Sequence, residues 1–142
     1  MKLPRIVSLL GYAGLLPFFA GPLWLTVAPQ AAPHWLDHAW LAYAAMIASF
    51  MAGTFWGFAL PASQGPEGMM GLVFASVLMI LAWAAVTAPF SLALVGLIVV
   101  FLLLLLADLW RERTLGTVEG YFMLRTVLTL GACIALGWRL AI

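Results

Sequence analysis

Apolar positions run almost unbroken along this chain, and the few interruptions mark its elements. Stretches of about 20 mostly apolar residues, enough for a helix to cross roughly 30 Å of hydrocarbon, occupy 4–27, 39–60, 68–86, 89–106 and 118–140. In lipid the backbone must satisfy its hydrogen bonds within each segment, so these spans are expected to be helices. The breaks carry turn chemistry. Residues 28–38 read APQAAPHWLDH, 61–68 read PASQGPEG, and Thr87-Ala88-Pro89 is a short link with a proline suited to a first helical turn. Gly116 can end a helix and Thr117 can cap the next, with Glu119 in its first turn. The pattern predicts an all-α protein. It is a single domain over 1–142, a five-helix transmembrane bundle without internal repeats.

Composition sharpens this picture. The 142 residues are 66% hydrophobic and 8% charged, against about 25% charged in a soluble domain. Such a chain cannot build a water-facing surface. No basic run points to nucleic acid. Cys133 is the single cysteine, which excludes an intrachain disulfide and suits a small packing residue. Lys2 and Arg5 precede an apolar stretch that is long for a signal peptide, so it reads as a retained first helix.

Most of the charge is gathered in one place. Asp108, Arg111, Glu112, Arg113, Glu119 and Arg125 crowd into residues 107–125. Lys and Arg accumulate on the cytoplasmic side of membrane proteins. With the N-terminus inside, Lys2, Arg5, Arg111, Arg113 and Arg125 all fall on that side, and Arg139 snorkels to water at the other. The expectation is a bacterial inner-membrane protein whose N-terminus and 107–120 loop are cytoplasmic. Trp24, Trp35, Trp40, Trp83 and Trp138 would line the outer boundary, and Trp56 and Trp110 the inner one.

Three features suggest how the helices meet. Ala45, Ser49, Gly53 and Gly57 recur every four residues, a small-residue face expected to pack against a neighbouring helix of the chain or, alternatively, a second copy. Pro17 and Pro22 should bend the first span, and the carbonyls they free could form a hinge or small cavity. The fourth span is apolar all round and is expected to show lipid a broad side.

The search for chemistry returns little. No acidic, basic or histidine side chain falls at mid-depth of a predicted span, which argues against proton relays and pumps. His34, Asp37 and His38 form a weak candidate metal set, with Asp37 as the N-cap of the second span as the plainer reading. No serine is paired with a base, and no phosphate-binding loop is present. The five-helix tryptophan-rich sensory proteins share the size, but their Trp-Pro-Pro pattern is absent. Asp108 and Arg125 should reach similar depth on antiparallel neighbours and form an ion pair, with Tyr121 adding a hydrogen bond.

Three stretches carry a family resemblance: Leu10-Gly11-Tyr12-Ala13-Gly14-Leu15-Leu16-Pro17-Phe18, then Tyr43 with Ser49-Phe50-Met51-Ala52-Gly53-Thr54-Phe55-Trp56-Gly57, then Asp108 with Tyr121-Phe122-Met123-Leu124-Arg125-Thr126-Val127-Leu128-Thr129. In these the chain resembles the bacterial family known as domain of unknown function 3429, whose eukaryotic relatives are called transmembrane protein 69. The family pattern often has His before Trp-Gly where this chain has Phe55, so a ligand or proton role for that histidine does not carry over. The resemblance implies a small polytopic membrane protein and supplies no activity.

The functional expectation is therefore a non-enzymatic protein without a cofactor, in contact with membrane lipids. It would serve as a partner or assembly subunit of a larger membrane complex, or as a homodimer. The alternative is a small-molecule or lipid-binding or transport protein acting as a dimer, with the kinked first helix and the Ser49, Gly53 and Gly57 groove as its site. The residues expected to matter structurally are Pro17, Ser49, Gly53, Trp56, Gly57, Asp108, Tyr121 and Arg125.

Overall fold

The computed structural model describes residues 4–114 and 120–142, which form helices joined by short turns. The first span is two helices, α1 (Arg5–Ala13) and α2 (Leu15–Val27). It is followed by α3 (Leu36–Ala59), α4 (Pro66–Val86), α5 (Phe90–Thr114) and α6 (Tyr121–Ala141). Taking α1 and α2 together, five helical spans are long and apolar enough to cross a bilayer. The fold class expected from the hydrophobic pattern is the one observed. Gly120, with φ of 81°, turns the chain into α6; the proposed Gly116, Thr117 and Glu119 caps lie outside the described residues, as does Lys2.

Several boundaries move. The second span starts at Leu36 rather than 39, and the third at Pro66 rather than 68. The largest shift is in α5, which runs to Thr114 rather than stopping at 106. Residues 107–114 are thus helix and not loop. Asp108 and Arg111 are almost wholly buried, at 0% and 1% exposed. Arg111, expected on the surface as a topological signal, is an interior side chain.

Successive spans alternate in direction. Late α3 meets early α4, where Gly71 lies against Ala59 and Phe55. Late α4 meets early α5 at Ala85 and Gly96. The packing core is built on α5, which contacts α3, α4 and α6. One face of α5, including Leu94, Leu97, Phe101 and Leu104, is buried, while Leu92, Val99 and Leu106 point outward. The fourth span is therefore the hub of the bundle as well as a lipid-facing helix. In α3 the inward face is Ala44, Ala48, Met51, Ala52 and Phe55. Gly53 and Gly57 face outward, with nothing within 4 Å of the position a Cβ would take. The expected intrachain packing face is on the wrong side. Small residues do mediate α3 packing, but they are the alanines one position away.

The prolines explain the shape of the first span. Pro17 has no N–H to offer the ladder, and the helix breaks three residues earlier at Gly14. Pro22 leaves the Phe18 carbonyl without its helical donor, and Trp40 on α3 replaces it, its Nε1 donating at 2.9 Å. One turn along α3, the Tyr43 hydroxyl donates to the Gly14 carbonyl at 2.7 Å, right at the break. The Phe18 ring sits edge-on to Trp40, Tyr43 and Phe101, with centroids 6.4, 5.5 and 5.9 Å away. Gly21 makes room for Trp40, since a Cβ there would lie 2.6 Å from its ring. Trp40 is accordingly a buried strut, at 5% exposed, and not part of an outer aromatic belt. Trp24, Trp35, Trp56 and Trp83 are exposed, and Trp110 stacks on Phe55.

Trp40→Phe keeps an aromatic ring but removes the indole donor to Phe18 and the part of the ring that fills the space beside Gly21. It should cost about 1–2 kcal/mol in detergent unfolding, while Trp83→Phe on the exposed surface changes stability by less than about 0.5 kcal/mol.

Candidate functional site

Charged side chains within a bundle are expensive unless each finds a partner. Asp108, six residues before the end of α5, and Arg125, one turn into α6, are brought together by the antiparallel pairing of their helices. The Arg125 Nε lies 2.8 Å from Asp108 Oδ2, and Arg111 Nε lies 3.7 Å from Oδ1. One carboxylate thus faces two guanidinium groups, one from its own helix and one from the next. Among the described residues its oxygens are met by charge rather than by well-aligned hydrogen bonds.

Arg125 is held from three sides. Its Nη1 donates to the Tyr121 hydroxyl at 2.8 Å and its Nη2 to the Met51 carbonyl on α3 at 3.1 Å. Arg111 lies over the Phe58 ring, 4.4 Å from the centroid, and Tyr121 packs on Phe58 at 4.8 Å. These are cation–π contacts in a water-poor setting, where they are strongest. The cluster therefore ties α3, α5 and α6 together. The Asp108, Tyr121 and Arg125 set expected from the sequence is brought together here. Arg111, Phe58 and the Met51 carbonyl were missed. The i,i+3 spacing of Asp108 and Arg111 signals the first once α5 is continued past 106; the other two depend on tertiary packing alone.

Beside this cluster is a cavity of about 380 Å³ between the first span, α3 and α6. The break at Gly14 opens it: α2 packs on both α3 and α6, whereas α1 leans on α6. Leu10 and Phe50, both on the cavity wall, are 66% and 74% exposed, so the space opens on the flank of the bundle. Its lining is apolar except near the α5–α6 end, where Thr54, Tyr121 and Arg125 contribute. Ser49, Gly53 and Gly57 do not line it, which corrects the expected groove: the kinked first helix takes part, but with a different face of α3. Pro17 and Trp56 are exposed and outside the cavity.

The far end of the bundle holds a second ion pair. Arg139, near the end of α6, grips Asp37 in α3 with two bonds of 2.9 and 2.7 Å and lies 4.7 Å from the centre of the Phe90 ring of α5. Arg139 is not snorkelling freely to water. Asp37 is in the first turn of α3 and not its N-cap, a position held by Trp35 without a side-chain bond. Both Asp37 oxygens face Arg139, and His34 precedes the helix that carries His38. Among the described residues no three potential ligands come together to hold a metal ion. The pair is partly exposed to solvent, so its contribution is at most about 1 kcal/mol.

Five apolar spans around a buried charge cluster define a small polytopic membrane protein. The chain matches, over residues 3–141, the family described as "Protein of unknown function (DUF3429)", and it belongs to that family. It is also similar to a transmembrane protein 69 from Xenopus tropicalis, with 40% identity over 83 residues, which is 58% of this chain. The matched stretch spans 32% of that relative's own length. No solved structure matches.

Replacing either Asp108 or Arg125 by Ala should destabilise the bundle by about 3–5 kcal/mol, because a buried charge loses its partner. The double replacement should cost clearly less than the sum of the two. Strictly additive losses in detergent unfolding would show that the two side chains are not coupled.

Proposed function

We propose that this chain is a non-enzymatic membrane protein that takes an apolar ligand from the bilayer into the flank cavity. The cavity is the observation that carries the reading. Its volume falls within the usual range for small-molecule sites, about 300–1,000 Å³, and its exposed rim at Leu10 and Phe50 faces the side of the bundle where lipid would lie. The reading needs no cofactor, metal or nucleic acid. We place the protein in the bacterial inner membrane, with its N-terminus and the α5–α6 connection cytoplasmic; Lys2, Arg5 and Arg113, by their positions in the sequence, support that orientation.

The test is to fill the space. Leu128, half buried on the cavity wall, can be replaced by Trp. Leu128→Trp should abolish co-purification of apolar small molecules, read by native mass spectrometry, and leave unfolding within about 1–3 kcal/mol of the parent. If the parent carries no ligand and takes up none from lipid vesicles, the reading fails.

A second reading, a partner or assembly subunit acting in a larger complex or as a homodimer, is favoured by Gly53 and Gly57. Both are outward-facing and open, so another backbone could approach closely. Gly57→Leu should abolish a crosslinked dimer or heteromer in native membranes without affecting the monomer's own stability. Crosslinking that is unchanged by the leucine would rule out that face.

A further inference from the structure

The chemistry of the cavity wall narrows the ligand. We infer that it is a single-chain amphiphile whose head is a hydrogen-bond acceptor, a carboxylate or an uncharged carbonyl, seated against Arg125 and Tyr121 with its tail toward the middle of the bundle. This rests on the cavity reading above and says what the cavity selects.

The two ends of the cavity differ. At its α5–α6 end the wall carries Tyr121, Arg125 and Thr54. Seven residues further along α6, about 10 Å at helical rise, the wall is Leu128, joined by Leu15, Phe18 and Ile47, with no polar side chain among them. A ligand polar at one end and apolar along the rest matches this gradient. A fully apolar one would leave polar groups facing hydrocarbon, which is costly.

The polar end offers donors. A guanidinium has five N–H groups. Tyr121 and Met51 accept one each, from Nη1 and Nη2, and Nε faces the Asp108 carboxylate as an ion pair. One hydrogen on Nη1 and one on Nη2 therefore have no partner among the described residues. The Tyr121 oxygen accepts from Arg125, and no acceptor for its own hydrogen is found among the described residues. Thr54 directs its hydrogen to the Phe50 carbonyl at 3.0 Å. Unused N–H and O–H groups in a water-poor wall call for an oxygen acceptor. A single chain fits better than a two-tailed lipid, because the space lies near the lower limit of ligand sites.

Three probes of equal chain length separate the possibilities: palmitate, its methyl ester and hexadecane, each titrated against the purified full chain and read by native mass spectrometry. Palmitate or the ester should bind about tenfold tighter than hexadecane, the worth of one good hydrogen bond in a dry site. Tyr121→Phe keeps the ring under both guanidinium groups and removes the donor. It should lower that preference, because only the Arg125 N–H groups then remain to meet the head, while hexadecane binds as before. Palmitate above the ester identifies a charged carboxylate ligand, and equal affinities identify a neutral carbonyl lipid; both support the inference. Equal binding of all three, or a head preference that Tyr121→Phe leaves unchanged, overturns the acceptor head at this site and leaves the cavity reading standing. If none of the three binds and Leu128→Trp alters nothing, both readings fall together.

Discussion

The buried carboxylate of Asp108 is the constraint on which the rest of the structure depends. A lone carboxylate in a dry interior would cost several kcal/mol. It is tolerable here because Arg125 and Arg111 approach its two oxygens. Each cation then imposes a condition on a different pair of helices. Arg125 must reach the Met51 carbonyl, which sets α3 against α6, and Arg111 must lie over Phe58, which sets α3 against α5. Lipid provides no hydrophobic force to drive helices together, so directional contacts of this kind decide which surfaces meet and in what register. Buried ion pairs are weak sources of net stability. Their cost when mispaired is large, and that asymmetry suits a register lock.

The first span is governed by a different economy. Two prolines remove backbone donors, and in hydrocarbon a bare carbonyl is penalised. Trp40 on α3 supplies the donor missing at Phe18, and Tyr43, three residues further on, adds a side-chain donor at Gly14 beside the helix break. The same contacts anchor α2 to α3 while the break at Gly14 lets α1 lean toward α6. The cavity is the space left by that divergence. Its polar end is furnished by Tyr121 and Arg125, the residues that the Asp108 cluster positions, so the site owes its shape to the prolines and its chemistry to the charge cluster.

Much of this was legible in the residues. Five runs of apolar residues specify five spans, since hydrocarbon thickness and backbone satisfaction leave few alternatives. The meeting of Asp108 and Arg125 followed from antiparallel neighbours joined by a short link. The departures share one cause: residue type alone puts polar or small residues at boundaries and packing faces and carries no rotational phase. Arg111 looked like a loop cation because the helix was stopped where the leucines end, although a helix continues as long as its charges find partners. Gly53 and Gly57 looked like a packing face, yet the alanines adjacent to them in sequence point inward. A nearly all-apolar helix has almost no amphipathic moment, so hydropathy cannot say which side is inside. Trp40 illustrates the same limit. Its position fits an aromatic belt, and only the orphaned carbonyl four residues before Pro22 signals the interior role.

The two functional readings meet on α3. Phe50, Gly53 and Gly57 are three and four residues apart and so share one side of the helix. Phe50 is also an exposed residue of the cavity wall. A second helix seated closely on Gly53 and Gly57 would therefore run past the mouth of the cavity. On the two proposals that geometry would link association and ligand entry: a partner there would change access to the site, and a ligand tail protruding past Phe50 would change the surface a partner meets. A coupling between them requires only that the ligand bind differently in the two states. The outward face of α3 is where binding from the bilayer and binding to another protein would be felt together.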